Sequence, residues 1–592
     1  MIRLQFKYLL IFFFFASVIP AQTVNHISIE GTRIFDKQTY LDWLKIKTVD
    51  KIKNPTALND SLRNRISKYL AAEGYYDFDI KKISLTPAKD SANFTLTIQI
   101  AENEPTYIKQ IKLKAENLDG NDSLNVLPEL ESLKDKIFKK SLVEKSVARV
   151  LNYYEENGFP FAKVKIYSVS FSYDSLTNKY FADIIFRIDK NRISKIDKIE
   201  IKGNTKTKPE VIIRNLRIEP GEIYSEEKIA DIPRKLNRLQ FFEKVDKPQF
   251  YFNSKNEGIL LIKVKEKQTN FFDGILGFVP GKNKNEKGYF TGFVNVNLRN
   301  LFGTGRAFAV KWLQENRFSQ ELELNYLEPW IFNYPFNFEA GLYQRKQDTT
   351  YIKRKIEGSI EYLTTENISA SVFVTSGSTF PILNDENKFT VFNSSSLSTG
   401  VKLRIDTRNN PLAPKSGILF INSYAFTAKK INGPEQFLTE QTPKEINLQR
   451  LELDFAFYYE FLQNQVAQLS VHGKELRGSS FEISDLYKFG GTNSIRGYRE
   501  KQFSANRILW SNIEYRYLIS EFSYAFLFFD IGYYLRTENQ YLKTEKVSEV
   551  LKSFGIGFSL ESALGILNIS YAVPQGSSIG KGLIHFGILN NF

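Results

Sequence analysis

The stretch FGGTNSIRGYRE, Phe489 to Glu500, sets one guanidinium, Arg496, among the glycines Gly490, Gly491 and Gly497 and next to Tyr498. Such a run suits neither a strand nor a helix, so the charge belongs to a loop. In any confined site that charge needs a carboxylate with good geometry. Two candidates lie downstream, Glu514 in SNIEYRYL and Asp530 in AFLFFDIGYY. Material for catalysis is thin. The chain has three histidines, His26, His472 and His585, and no serine or aspartate motif surrounds the last two. It has no cysteine, which excludes thiolate metal sites, disulfide frameworks and a lipid-anchored N-terminal cysteine. No catalytic residue, metal or cofactor is therefore expected.

At 592 residues the chain calls for several domains. Residues 1–21 read as a signal peptide: Arg3 and Lys7 supply the positive start, Tyr8 to Ile19 the apolar stretch, and Pro20-Ala21 a small-residue cleavage site. The alternative, an N-terminal membrane helix, would need roughly 20 apolar residues, and this run is shorter. Charges interrupt every apolar run downstream. The net charge of +14 is spread along the chain, so a Lys-rich composition explains it as well as an anionic partner does. Without a compact basic block, nucleic acid is not an expected partner.

Three segments open alike: ISIEGTRIF at Ile27, IKLKAENLD at Ile111 and IEIKGNTKT at Ile199, with Gly31, Asn117 and Gly203 at equal intervals. Helical periodicity follows each opening, with Leu58, Leu62, Ile66, Tyr69 and Leu70 on one face in the first and Val143, Val147, Val150 and Leu151 in the second. Each unit closes with an alternating strand: FTLTIQIAE, ADIIFRID and GILLIKVKE. A strand, two helices and two strands in about 80 residues can bury one modest core. This order resembles POTRA domains, the periplasmic modules of outer-membrane assembly proteins, with boundaries at 22–103, 104–192 and 193–267.

From residue 268 to 592 the period becomes two. YFTGFVNVNL, RLELDFAFY and QELELNY each set a greasy face against a polar one. Repetition over so long a block predicts an antiparallel transmembrane β-barrel of sixteen strands, lipid outside and water inside. A soluble sandwich would alternate too, but would not need so many strands in one block. The short turns NLFGTGR and DTRNNPLAPKSG follow even-numbered strands and so fall on the side of the repeats. The long segment from Lys474 to Asn506, between the eleventh and twelfth strands, falls outside. Its aromatics, Phe481, Tyr487, Phe489, Tyr498 and Phe503, argue that it packs into the lumen. Alternation turns Glu514 inward between Ile513 and Tyr515, and Asp530 inward beside Gly532, which leaves room for an incoming loop. The plain alternative makes both acids ordinary lumen charges facing water.

GGTNSIRGY resembles the lumen-loop signature of the BamA/TamA superfamily, whose core is an Arg-Gly-aromatic triplet, here Arg496, Gly497 and Tyr498. FFDIG, Phe528 to Gly532, resembles that family's Phe-x-Asp-x-Gly motif; NIEYR, NLFGTGR and DTRNNPLAP resemble further segments. The resemblance implies that Arg496 pairs with Asp530 and Glu514. The ending GLIHFGILNNF, with Gly587 and Phe592, looks like a terminal insertion signal, though Asn590 departs from the usual aromatic. Three POTRA-like units imply the TamA-like branch. The implied function is a factor at the cell outer membrane, its repeats in the periplasm, that inserts or exports client proteins through a lateral barrel seam. The implied partners are outer-membrane lipids, unfolded clients and a periplasm-spanning protein docking on the first unit. Weak strand formers at both ends of the barrel, Gly274 and Gly277 against Gly582, Gly587, Asn590 and Asn591, suit a seam that opens. A passive porin-like channel, or a secretion transporter for one dedicated partner, are the alternatives; an outer-membrane hydrolase lacks residues to act.

Overall fold

The computed structural model describes residues 23–45, 55–87, 93–115, 120–280, 288–382, 389–440, 442–538, 545–562 and 565–589. The signal segment, Asn117, Asn590, Asn591 and Phe592 lie outside these residues. The chain forms two compact units: residues up to 195 with 222–227, and residues 196–221 with 228–592.

The first unit holds two repeats of one plan. In the earlier, strand Thr23–Glu30 precedes helices Lys37–Leu44 and Pro55–Ala72 and strands Asp79–Pro87 and Asn93–Ala101. The last strand is central, parallel to the first and antiparallel to the second. Asp36 caps the first helix by accepting the Thr39 amide at 2.8 Å, satisfying one of its free donors. Leu62, Ile66 and Leu70, one helical stripe, pack with Leu96, Ile98 and Ile100 of the central strand. The second repeat repeats this order with strands Thr106–Ala115, Lys163–Asp174 and Lys179–Asp189 and helices Gly120–Glu131 and Lys140–Glu156. Its buried stripe differs in part from expectation. Val143, Ser146, Val150 and Tyr154 are buried, Val147 packs at the margin and Leu151 is half-buried. Tyr154 continues the Val143, Val147 and Val150 row at helical spacing, and Leu151 falls on its flank.

The third repeat has strands Lys198–Lys202, Gln249–Phe252 and Gly258–Lys263 and helices Pro209–Leu216 and Glu226–Arg238, in the same topology. Repeats one and three share a closing device. Glu266 accepts the amides of Thr205, Lys206 and Thr207 at 3.2, 2.9 and 2.6 Å, just as Glu102 accepts those of Arg33, Ile34 and Phe35. The carboxylate thereby satisfies the donors of the turn after the first strand.

The sixteen-stranded antiparallel sheet runs from Phe271–Val279 to Leu583–Leu589, each strand paired with the next in sequence. The expected faces are seen around Asp530: Leu527, Phe529 and Tyr533 are exposed, whereas Phe526, Phe528 and Asp530 are buried. Such apolar residues facing out along a long sheet suit lipid contact. The turn at Asn300–Gly305 meets the third repeat, where Lys208 N donates to Gly303 O at 2.9 Å and Asn300 Nδ2 to Thr207 Oγ1 at 2.8 Å. A Cβ on Gly303 would lie 1.8 Å from Lys206 O, so only glycine allows this approach. The eleventh strand, Gln465–Gly478, extends past Lys474, so the long loop begins at Ser479 and not at Lys474. Alternation continues through ELRG in register with Glu475↔Arg507, and this pairing keeps those residues in the sheet.

Candidate functional site

Asp530 sits in strand Tyr524–Arg536 and Glu514 in Arg507–Leu518, paired neighbours whose inward residues share one wall of the lumen. The loop delivers Arg496 onto both. Its Nε and Nη2 reach Asp530 Oδ2 and Oδ1 at 2.9 and 2.7 Å, a two-pronged pair, while Nη1 reaches Glu514 Oε1 at 2.8 Å. The Arg496 amide also donates to Asp530 Oδ2, at 3.0 Å. Arg516 donates to Glu514 Oε2 at 2.8 Å, so two cations offset two carboxylates. Asn512 Nδ2 bridges Asp530 Oδ1 and Ser494 O, both at 2.8 Å. Asp530 is 0% exposed, which excludes the reading of a charge facing lumen water. Burial of these charges is tolerable because each finds several donors or acceptors.

Packing completes the seat. The Arg496 guanidinium lies 3.6 Å from the centre of the Phe528 ring, a cation–π contact. Ile495, fully buried, fills the space above Gly532, where a Cβ would fall 1.9 Å from Ile495 Cδ1. Gly490 and Gly491 form the turn before it: Gly490 N donates to Ser494 Oγ and Gly491 N to Ile495 O, at 2.8 and 3.0 Å. Tyr498 packs against Phe503 and donates its hydroxyl to Lys552 O at 3.3 Å. A Cβ on Gly587, in the last strand, would fall 3.2 Å from Thr492 Cγ2.

Three features escaped the sequence reading. The Gly497 amide donates to His585 Nε2 at 2.8 Å, tying the loop to the last strand. Near its start the loop is anchored again: Lys429 forms ion pairs with Glu482 and, at 2.6 Å, with Asp485, and Glu482 Oε1 accepts the Phe392 amide at 2.6 Å. On the way out, Lys501 meets Glu321 at 2.8 Å, and Arg345 meets the same carboxylate at 2.6 Å. Glu482 and Asp485, close together near the start of the loop, were the available signal for the second anchor. His472 pairs with Asp454 at 2.6 Å and stacks on Trp510, and His26 is exposed. Beside Arg496 the lumen keeps a cavity of about 1010 Å³, bordered by Glu321, Glu500, Glu514 and Gly587. The arrangement clamps a loop beside this cavity.

The chain matches the model of the Omp85 superfamily domain over residues 300–592 and that of the surface antigen variable number repeat, a POTRA family, over 22–103 and 194–267. It is 22% identical to the outer membrane protein assembly factor BamA of Nitratidesulfovibrio vulgaris, over 92% of this chain and 71% of that protein. A putative outer membrane protein assembly factor of Treponema pallidum is 24% identical, over 53% of this chain and 38% of that protein. Among solved structures, BamA from Haemophilus ducreyi lacking POTRA domains 1–3 matches at a TM-score of 0.48 and 16% identity, over 81% of this chain and 98% of that one. These matches do not separate the branches of the family. The chain belongs to the BamA/TamA superfamily, as an outer-membrane protein with periplasmic POTRA repeats and a sixteen-stranded antiparallel sheet.

Proposed function

We propose that this protein assembles or exports client proteins at the outer membrane, passing them through a seam between the first and last barrel strands, with the POTRA repeats receiving them in the periplasm. The observation that carries the reading is the state of the sheet edges. Among the described residues, Phe271–Val279 pairs only with the second strand and Leu583–Leu589 only with the fifteenth. An unpaired edge is a template for another strand. The residue boundaries 22–103, 104–192, 193–267 and 268–592 belong to this proposal, as do a cleaved segment 1–21, a terminal signal ending at Phe592, and a docking protein on the first repeat. A passive pore explains neither the repeats nor a lumen occupied by a loop anchored at several points.

Depletion followed by an inventory of outer-membrane proteins tests the function: loss of client barrels is expected, and an unchanged inventory sinks it. The chain's lack of cysteine makes the seam testable as well. One cysteine placed in Phe271–Val279 and one in Leu583–Leu589, oxidised to a disulfide, should block assembly reversibly. Full activity of the cross-linked protein would refute the seam.

A further inference from the structure

Between the third repeat and the barrel rim lies a cavity of about 220 Å³ whose charged lining residues are Arg214, Arg238 and Arg299. No carboxylate lines it. Arg214 comes from the first helix of the repeat, Arg238 from the end of the second, and Arg299 from the second barrel strand, so folding alone gathers the three. Arg214 spends Nη2 on Thr304 O at 2.8 Å and leaves Nε buried without a partner. Arg238 gives Nη1 to Asn367 Oδ1 at 2.6 Å, and Asp406 stands off at 3.9 Å. Burial pushes both guanidiniums below the usual arginine range, the mark of charge held away from water without full compensation. A second cavity of about 230 Å³ shares Arg238 and Trp330 and adds Arg217 and Lys235 against a single acid, Glu366.

The surroundings indicate which anion belongs there. Phe302, Phe332 and Tyr334, on the turns beside the cavity, are 84%, 89% and 66% exposed. Exposed aromatics in a row at a barrel rim mark the level of lipid headgroups. Trp330, 5.8 Å from the Arg214 guanidinium, carries that belt into the cavity. Planar guanidinium forks match phosphate oxygens in pairs. We infer that this cavity binds the phosphate of an anionic lipid from the periplasmic leaflet, fastening the third repeat to the membrane surface. The site rests on the membrane placement of the barrel and not on assembly activity, so lipid retention and client assembly can fail independently.

The test is native mass spectrometry of the full chain in neutral detergent, offered phosphatidylglycerol, phosphatidylcholine or inorganic phosphate. Wild type should retain phosphatidylglycerol about tenfold better than phosphatidylcholine, and Arg214→Gln/Arg299→Gln should lose most of that preference. Lys265→Gln, an exposed cation on the same repeat, should behave as wild type. Heat-dependent gel migration reports barrel formation in parallel. Should the double variant fail to fold, Arg299→Lys keeps the charge without the fork and should retain phosphatidylglycerol more weakly than wild type. Equal binding of both lipids, displacement by millimolar inorganic phosphate, or unchanged retention in the folded arginine variants would each overturn the assignment.

Discussion

Arg496 sends both its main-chain amide and its guanidinium to the single carboxylate of Asp530, at 3.0 Å from the amide and 2.7 to 2.9 Å from the side chain. One acid therefore fixes the loop's backbone and its charge together. Replacing Arg496 by Ala takes the cationic partner from Asp530, which is 0% exposed, and should destabilise the seated loop by about 3–5 kcal/mol. Asp530→Asn should act alike, and the double variant should cost less than the sum. Lys at 496 cannot form the two-pronged contact and should rescue poorly. Limited proteolysis within residues 479–506, together with the assembly assay, reads these effects; simple additivity would show that the pair is not coupled.

Gly532 and Ile495 form a second, apolar lock. Gly532→Val inserts atoms where Ile495 Cδ1 already sits, so the loop tip should be displaced while the strand still pairs. Ile495→Ala on that background should restore part of the seating. If Gly532→Val leaves loop proteolysis unchanged, the lock is not needed.

His585 gives the loop a hold on the barrel's last strand. His585→Ala leaves the buried Gly497 amide without its acceptor, a cost of about 1–3 kcal/mol. Hydrogen exchange across Leu583–Leu589 should quicken relative to Gly565–Pro574. Equal exchange in variant and wild type would mean that the edge strand is held by its pairing alone.

Glu266 predicts a pH limit for the third repeat. Burial works against its charged form, but hydrogen bonds from Thr205 and Thr207 prevail and bring its carboxyl from an ordinary 4.5 down to about 2. A folded value below the unfolded one means stability that is complete above about 4.5 and lost as pH falls toward about 2. Protection of the Thr205, Lys206 and Thr207 amides, corrected for intrinsic exchange, should fall through that window. Glu266→Gln should weaken protection at neutral pH and flatten the pH dependence; a variant keeping the wild-type profile would exclude Glu266 as the cause.

Much of this protein is legible in local pattern. Period-two alternation needs only neighbouring residues, and it placed Glu514 and Asp530 on the lumen side and counted sixteen strands, because one face of each strand meets lipid. The recurrence of Ile27, Ile111 and Ile199 likewise exposed the repeats. Single positions on helices were harder: Tyr154, and not Leu151, belongs to the buried core, because the stripe that meets the sheet is narrow and Leu151 sits at its flank.

Other contacts depended on the folded chain. Lys501 reaches Glu321 across 180 residues, and Gly497 reaches His585 across 88. Lys429 finds Glu482 and Asp485 only because the loop folds back along strands that precede it. The arginine cavity draws Arg214, Arg238 and Arg299 from two helices and a barrel strand. No local period encodes such meetings. Side-chain direction follows from the pleat of one strand, whereas the partner a charge meets follows from how distant strands and a docked repeat bring their surfaces together, and only tertiary structure sets that.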